Sequence, residues 1–255
     1  MTVQPGAYTV VAAALLRQRH LEITTNNLAN ASTVGFKAER PFFDLYRDLQ
    51  PPDEIRPLGD DLVRQSRWAG SHIDYSGGKT QQTTNPLDLS LVGSGFFVLQ
   101  TAAGLRYTRA GQFTLNGNRE IVSQDGWPVL GRGGAPIRLP VGEGAKIVIG
   151  QTGEVRVGEQ AAGQIQVVDF PKPYRLFKQH GASFSTIDPR ETGTPVATPQ
   201  MVQGSLELSN VQPVTEMVGL IETARLYEAY QKILQSFDTM NDRAVNDLGR
   251  TQPIA

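Results

Sequence analysis

The last fifth of the chain constrains the fold most, because it predicts a single helix that is too long for a compact domain to cover. Between Pro213 and Leu248, apolar residues recur every three or four positions, which is the spacing of one helix face. Pro213 suits the first helical turn, where its missing N–H costs nothing. A helix of this length spans about 50 Å, so we expect a partner helix along most of it. The apolar positions are Met217, Leu220, Ile221, Ala224, Tyr227, Tyr230, Leu234, Phe237, Met240, Ala244 and Leu248.

The N-terminal segment is the candidate partner of that helix. From Tyr8 to about Asn30, apolar residues again follow helical spacing, at Tyr8, Val11, Leu15, Leu21 and Leu28. Two stripes at opposite ends of a chain suggest an antiparallel or parallel pair of helices that packs like a coiled coil. The alternative is that each stripe faces the core of an ordinary globular domain.

The stretch between the two helices has a different character. Residues 77–204 contain many short runs of alternating apolar and polar residues separated by glycine turns, which predicts a central antiparallel all-β domain. Residues 37–76 show no clear period, and we predict an extended linker or arm there. The expected fold class is therefore mixed α and β, with a helical domain formed by residues 1–36 and 205–255.

Composition excludes several classes of protein. The 255 residues carry a formal net charge of −1, which argues against a nucleic-acid-binding protein, since such a protein shows a basic face. The chain has no cysteine, so disulfides, thiol catalysis and cysteine-ligated zinc are excluded. No apolar run approaches the roughly 20 residues needed to span a bilayer. The N-terminus lacks a basic region, so we expect no cleaved signal peptide.

Residues that could carry chemistry are scattered. The three histidines, His20, His72 and His180, do not occur at a spacing that makes a metal pair. Asp88, Asp125, Asp169 and Asp188 show no paired arrangement, and the Gly-Ser-Gly run at 93–95 does not precede a helix, as a phosphate loop would. We therefore predict no catalytic, metal or cofactor site, and a protein that is not an enzyme.

Asn26, Asn27 and Asn30 stand near the end of the first predicted helix. Asparagine competes with the backbone for hydrogen bonds, so one interpretation is helix termination. Another is that buried asparagines set the register between packed helices. Both interpretations are favoured over a ligand-binding face.

Several segments, in order along the chain, resemble the signatures of the bacterial flagellar rod and hook family. They are NNLANASTVGFK at 26–37, NPLDLSLVGSGFFV at 85–98, RYTRAGQF at 106–113 and LELSNV at 206–211, the last followed by EMV at 216–218 and RLYE at 225–228. The resemblance implies a structural subunit of the periplasmic flagellar rod, exported by the flagellar type III apparatus without a cleaved signal.

The resemblance further implies how the subunit assembles. The terminal helices would pack together and against other rod proteins and copies of the same chain, and would transmit torque, while the β region faces outward. Such subunits make heterologous contacts that do not close on themselves. The expected contact residues are Leu15, Leu21, Asn26, Asn27, Leu28 and Asn30 on the first helix, and Met217, Ile221, Arg225, Tyr227, Leu234 and Phe237 on the second.

The position within the family is less constrained by the sequence. The length is close to that of the rod members and is too short for a typical hook protein. Residues 40–49 stand where the distal rod protein usually carries a Ser-rich, Gly-containing segment, which favours another rod protein. The alternatives are the distal rod protein and, from a different class, a periplasmic peptidoglycan-acting or sugar-binding β module. A hydrolase of that kind needs two carboxylates across a cleft, and no spacing here indicates one.

Overall fold

The structure, a computed structural model, describes residues 5–45, 66–141, 146–179, 181–188 and 190–249. The chain separates into two compact units. Unit 1 comprises the described parts of Met1–Ala29, Glu39–Asp74 and Gln212–Ala255, and unit 2 comprises those of Asn30–Ala38 and Tyr75–Val211.

Unit 1 contains both helices that the sequence predicts. Helix α1 runs from Pro5 to Ala29, and helix α2 runs from Pro213 to Gly249. The two helices contact each other, and the rest of the described chain is rich in antiparallel strands. The predicted fold class, with long terminal helices in contact and a central antiparallel β region, is therefore confirmed.

The helices of unit 1 run antiparallel. Asn27 in the last turns of α1 donates a 3.5 Å hydrogen bond to the carboxylate of Glu216 in the first turn of α2. Helix α2 has 37 residues and α1 has 25, so α2 is about 18 Å longer. The last turns of α2 therefore extend beyond the first described turn of α1.

Unit 1 also contains an antiparallel strand pair in the range predicted as a linker or arm. Strand β1 covers Glu39–Leu45 and strand β2 covers Ser66–Ile73. A register shift between Phe42 and Phe43 marks a β-bulge, which breaks the two-residue period and hides the strand from a sequence pattern. Residues 46–65 of the predicted linker or arm lie outside the described residues.

Unit 2 is built from short antiparallel strands. The strands are β3 Thr80–Gln82, β4 Leu89–Val92, β5 Phe96–Thr101, β6 Gly104–Thr108, β7 Phe113–Leu115, β8 Ile121–Ser123, β9 Ile147–Ile149, β10 Glu154–Val157, β11 Gln160–Gln164, β12 Val167–Asp169, β13 Leu176–Lys178, β14 Ser183–Thr186, β15 Thr194–Pro195, β16 Gln200–Gln203 and β17 Ser205–Glu207. The largest sheet has the order β13-β14-β6-β5-β12-β15, and a three-stranded sheet has the order β11-β10-β9. The remaining described strands of unit 2 form the pairs β16-β4, β17-β3 and β7-β8.

The core of unit 2 is apolar and closed. Leu89, Phe97, Ile121, Val129 and Val155 belong to one hydrophobic cluster, and each has 0% of its surface exposed. The rings of Phe97 and Phe113 meet edge to face, with centroids 5.1 Å apart. Aromatic pairs in this geometry add to the free energy gained by burial, so this contact helps to stabilise the cluster.

Unit 2 also takes up residues that the sequence assigned to the helical domain. The prediction placed residues 30–36 and 205–211 in the helical domain and residues 37–38 in the linker or arm, whereas all of these residues belong to unit 2. The reason lies in packing, since Phe36, Ala38 and Val211 form a small buried cluster with half-buried Ala31.

Candidate assembly surface

One side of α2, the side that faces α1, carries a row of buried and half-buried residues that we call the seam. Successive residues of the seam are alternately four and three positions apart, which is the heptad spacing of a left-handed coiled coil. All are buried or half-buried, whereas most other positions on α2 are exposed. The seam consists of Glu216, Leu220, Thr223, Tyr227, Tyr230, Leu234 and Phe237. The pairing of α1 with α2 therefore covers one side of α2.

A second face of α2 carries apolar residues that the helix pair leaves uncovered. We call Val214, Met217, Val218 and Ile221 the outer patch. Their spacing of three, four and seven residues places them on one face, and they are 71%, 43%, 52% and 54% exposed. Clustered exposed apolar residues of this kind mark interaction sites.

A third set of apolar residues flanks the seam toward the C-terminal end of α2. Leu226, Ile233 and Met240 follow one another at intervals of seven residues and are 43%, 41% and 58% exposed. We call them the flanking stripe. A stripe with a seven-residue repeat beside a coiled-coil seam suits contact with a further helix, because that repeat keeps the residues on one line of a supercoil.

Helix α1 also presents apolar side chains to the outside. Val11 and Leu15, one turn apart, are 42% and 57% exposed. Ala14, Ile23 and Thr24 are buried at other positions around the helix. Each helix thus has buried positions as well as exposed apolar ones.

The three asparagines near the end of α1 have different surroundings. Asn27 is buried, donates through Nδ2 to the Glu39 carbonyl at 2.8 Å, and accepts the Glu39 N–H at 2.9 Å through Oδ1. Asn30 lies in the turn after α1, where its carbonyl accepts the Thr33 N–H at 3.1 Å. Asn26 is exposed. Asn27 therefore fixes strand β1 to α1, and Asn30 helps to end the helix.

The predicted contact residues fall into two groups. Leu15, Asn26, Met217, Ile221 and Arg225 are exposed on the outside of the helices. The second group is buried or half-buried: Leu21, Asn27, Leu28, Asn30, Tyr227, Leu234 and Phe237. The first group lies on the surface of the helix pair, where another subunit can contact it. The role of both groups in assembly stays a prediction.

Several exposed residues were missing from the predicted contact set. They are Val11, Val214, Val218, Leu226, Ile233 and Met240. Val11 and Met240 were recognised as members of the helical stripes, but a stripe alone does not reveal which side the partner helix covers. The heptad spacing of the seam is the signal that separates the covered from the uncovered side. The side chains of Tyr8, Ala244 and Leu248 lie outside the described residues.

One titratable group lies in the helix pair. His20 on α1 is half-buried, and its pKa is lowered by burial and by the charge of Arg17, while Glu216 raises it to a lesser degree. Burial favours the neutral imidazole because the charged form loses water. The helix pair therefore resists protonation at this position.

Among the described residues, no group of three histidine or carboxylate side chains is arranged to hold a metal ion. His180, one of the histidines considered above, lies outside those residues. Within the same ranges, neither helix combines the length and apolar character needed to cross a bilayer.

Three segments of the chain, which include parts of both helices and of the β region, match known protein families. Residues 8–37 match the family described as "Flagella basal body rod protein". Residues 90–157 match "Flagellar hook protein FlgE/F/G D1 domain", and residues 202–248 match "Flagellar basal body rod FlgEFG protein C-terminal".

Individual relatives match along almost the whole chain. The flagellar basal-body rod protein FlgF of Caulobacter vibrioides is 34% identical over 95% of this chain and 97% of its own length. FlgF of Mesorhizobium japonicum is 33% identical over 97% of this chain and 99% of its own length. The flagellar basal-body rod protein FlgG of Bacillus subtilis is 30% identical over 90% of this chain and 93% of its own length. The chain therefore belongs to the family of the flagellar basal-body rod protein FlgF, and it is a structural protein rather than an enzyme.

Proposed function

We propose that this chain assembles into the flagellar rod through the uncovered faces of its terminal helices and transmits torque through those contacts. Its partners are other rod proteins and copies of itself. The chain takes its place in the periplasmic part of the rod. It is exported by the flagellar type III apparatus, without a cleaved signal peptide. These statements go beyond family membership and rest on the surface described above.

The observation that supports the proposal is the outer patch together with the flanking stripe. Both are apolar, both lie on α2, and neither is covered by α1. A monomer gains nothing from exposing such residues, whereas burying each one against a neighbour contributes about 1–2 kcal/mol. Contacts of this kind, repeated from subunit to subunit, generate an open helical assembly.

The length of α2 adds a second argument. Its last turns extend past the described start of α1, and they include Met240 from the flanking stripe, which is 58% exposed. A long amphipathic helix is stable in water mainly through packing of its apolar face. A neighbouring helix that continues the seam would provide that packing.

The test places a charge in the outer patch without touching the seam. Ile221→Asp changes a residue that is 54% exposed, so the helix pair is expected to form as in the wild type. A carboxylate buried between subunits is costly, so incorporation into basal bodies and swimming motility should both be lost. Far-UV circular dichroism of the purified variant checks that the helices remain.

Gln235→Asp is the matched control, because Gln235 is an exposed polar residue on the same helix. This control is expected to swim normally. Normal swimming of the Ile221→Asp strain, with wild-type incorporation, would contradict the proposal. Leu234→Asp is a less clean test than Ile221→Asp, since Leu234 lies in the seam and its change also disturbs pairing with α1.

We further propose that the subunit occupies the FlgF position in the rod rather than the distal position. The support is that two FlgF proteins are 33–34% identical to this chain, whereas FlgG of Bacillus subtilis is 30% identical and the FlgF of Rhizobium meliloti 29%. Expression of this chain should restore swimming in a strain that lacks its own FlgF and leave a strain lacking FlgG non-motile. The opposite pattern would favour the distal position.

A further inference from the structure

Unit 2 contains a buried cluster of charged side chains that the assembly surface does not use. Lys37, Arg109 and Glu207 are 1%, 6% and 4% exposed. The Lys37 ammonium donates to Glu207 Oε1 at 2.6 Å, and Arg109 Nη1 lies 3.4 Å from Glu207 Oε2. One carboxylate thus stands between two cations, and both of its oxygens are engaged.

Backbone groups complete the surroundings of this cluster. Lys37 Nζ also donates to the Ser76 carbonyl at 2.6 Å, and Arg109 Nη2 donates to the Gly93 carbonyl at 2.5 Å. The Gly78 N–H donates to Glu207 Oε1 at 3.1 Å. Buried charges are tolerated in proteins when they are paired and hydrogen-bonded in this way.

The cluster joins distant parts of the sequence. Lys37 follows the end of α1 by eight residues, and Glu207 precedes the start of α2 by six. Further bonds connect the same two segments: the Gly35 N–H donates to the Glu207 carbonyl at 2.7 Å, and the Ala38 N–H donates to Asn210 Oδ1 at 2.7 Å. The segment that leaves α1 and the segment that leads to α2 therefore lie side by side within unit 2.

Two glycines near the cluster allow their chain segments to pack closely against the backbone of other segments. A Cβ on Gly35, where φ is +68°, would lie 2.2 Å from the Ala110 nitrogen. A Cβ on Gly78 would lie 1.8 Å from the Leu208 carbonyl oxygen. Neither distance is possible for a real side chain, so these positions require glycine. The segments are held together by tight backbone packing as well as by charge.

We propose that Lys37, Arg109 and Glu207 form a conformational clamp that closes the two chain segments onto unit 2 as one cooperative element. We call residues 35–38 and 207–211 the clamped segments. When the carboxylate is neutralised, both cations lose their charge pairing with Glu207, and both segments are released together. This clamp is a property of the single chain and does not depend on how subunits assemble.

The test is residue-resolved amide hydrogen exchange on the full-length Glu207→Gln protein. Losing one partner of a buried ion pair is strongly destabilising, so we expect the amides of Gly35, Ala38 and Gly78 to exchange about 100-fold faster. The amides of Val129 and Ile165 donate to Ile121 and Gly153 within the β core. They are expected to stay within about threefold of the wild type, because the clamp opens locally.

The Ala38 amide is the most informative of the three, since it donates to Asn210 and not to Glu207. Acceleration at Gly78 alone would show only a weakening of its own hydrogen bond to the side chain at position 207 and would overturn the cooperative clamp. Equal acceleration at Val129 and Ile165 would overturn it too, because the cluster would then support the whole unit rather than the two segments.

A second variant keeps the test decisive if Glu207→Gln does not fold. Lys37→Met leaves Glu207 paired with Arg109, so we expect the same pattern with a smaller acceleration, about tenfold. Lys79→Met is the matched control, because Lys79 is exposed and losing its charge should change no exchange rate in the clamped segments. Wild-type exchange in Lys37→Met would overturn the proposal.

Discussion

The helices of unit 1 and the β core of unit 2 differ in how completely each buries its apolar residues. In unit 2, residues such as Leu89, Phe97 and Val155 are wholly buried within the chain. Among the described side chains of α2, Thr223 alone is buried, and seven apolar residues remain more than 40% exposed. Unit 2 therefore completes its core alone, whereas α2 completes only the side that faces α1.

This difference separates stability from assembly. Core residues of unit 2 contribute to folding of the free chain, because they are already buried against one another. Uncovered residues of α2 contribute little until a neighbour covers them. Variants in the two regions should therefore act on different measurements, and the following predictions use that contrast.

The largest effect is expected in the core of unit 2. Phe97→Ala removes a fully buried ring that packs on Phe113, and should lower the free energy of unfolding by about 3–5 kcal/mol. Urea unfolding of the purified protein measures this loss. Leu226→Ala, at a position 43% exposed in the flanking stripe, should change the same free energy by less than about 0.5 kcal/mol. Similar losses of unfolding free energy in both variants would contradict the proposed difference between the core of unit 2 and the exposed residues of α2.

A pair of adjacent glycines tests close backbone packing in unit 2. Gly78→Ala would place a Cβ 1.8 Å from the Leu208 oxygen, and forcing that backbone apart should cost about 1–3 kcal/mol. Gly77→Ala meets nothing within 4 Å, so this variant should unfold at nearly the wild-type urea concentration. Equal stability of the two variants would contradict the close packing of Gly78 against the Leu208 carbonyl.

A pair of adjacent asparagines tests a specific contact inside unit 1. Asn27→Ala leaves the N–H and carbonyl of Glu39 without their side-chain partner, which should cost about 1–2 kcal/mol. The amide of Glu39 should then exchange faster with solvent. Asn26→Ala changes an exposed residue and should leave that rate unaltered. An unchanged Glu39 amide in Asn27→Ala would contradict the role assigned to Asn27.

The smallest effect is expected from His20. Because its pKa is lowered in the folded state, the unfolded chain binds more protons below about pH 6.5. Stability of the helix pair should therefore be full above that pH and fall as the pH drops through it. His20→Gln should weaken this dependence in urea unfolding followed by circular dichroism at pH 8 and pH 5.5. A stronger dependence in the variant would show that the pKa shift has the opposite sign.

The helices were predictable from sequence because their pattern is local. Apolar spacing predicted α2 almost to its ends, from Pro213 to Leu248 against Pro213–Gly249 in the structure. Alternation in residues 77–204 likewise predicted the antiparallel β region. Strands β1 and β2 were not predicted, since the bulge at Phe42 and Phe43 interrupts their period.

Which residues of a helix are exposed depends on tertiary contacts, and the spacing of apolar residues in the sequence does not reveal those contacts. Met217 and Leu234 belong to the same predicted stripe, yet Leu234 faces α1 and Met217 is 43% exposed. The buried cluster was missed for a similar reason. Lys37, Arg109 and Glu207 lie far apart in sequence, and a charged residue in a short segment usually indicates a solvated position.

Hydrogen exchange on the purified full-length chain tests the central claim most directly. The account predicts that amides in the core of unit 2, such as those of Leu89, Val129 and Ile165, exchange at least about 100-fold more slowly than amides of α2 beyond Phe237. Addition of a rod partner should then slow exchange in α2. Equally strong protection along α2 in the isolated chain would contradict the account, because that helix would already be complete without a neighbour.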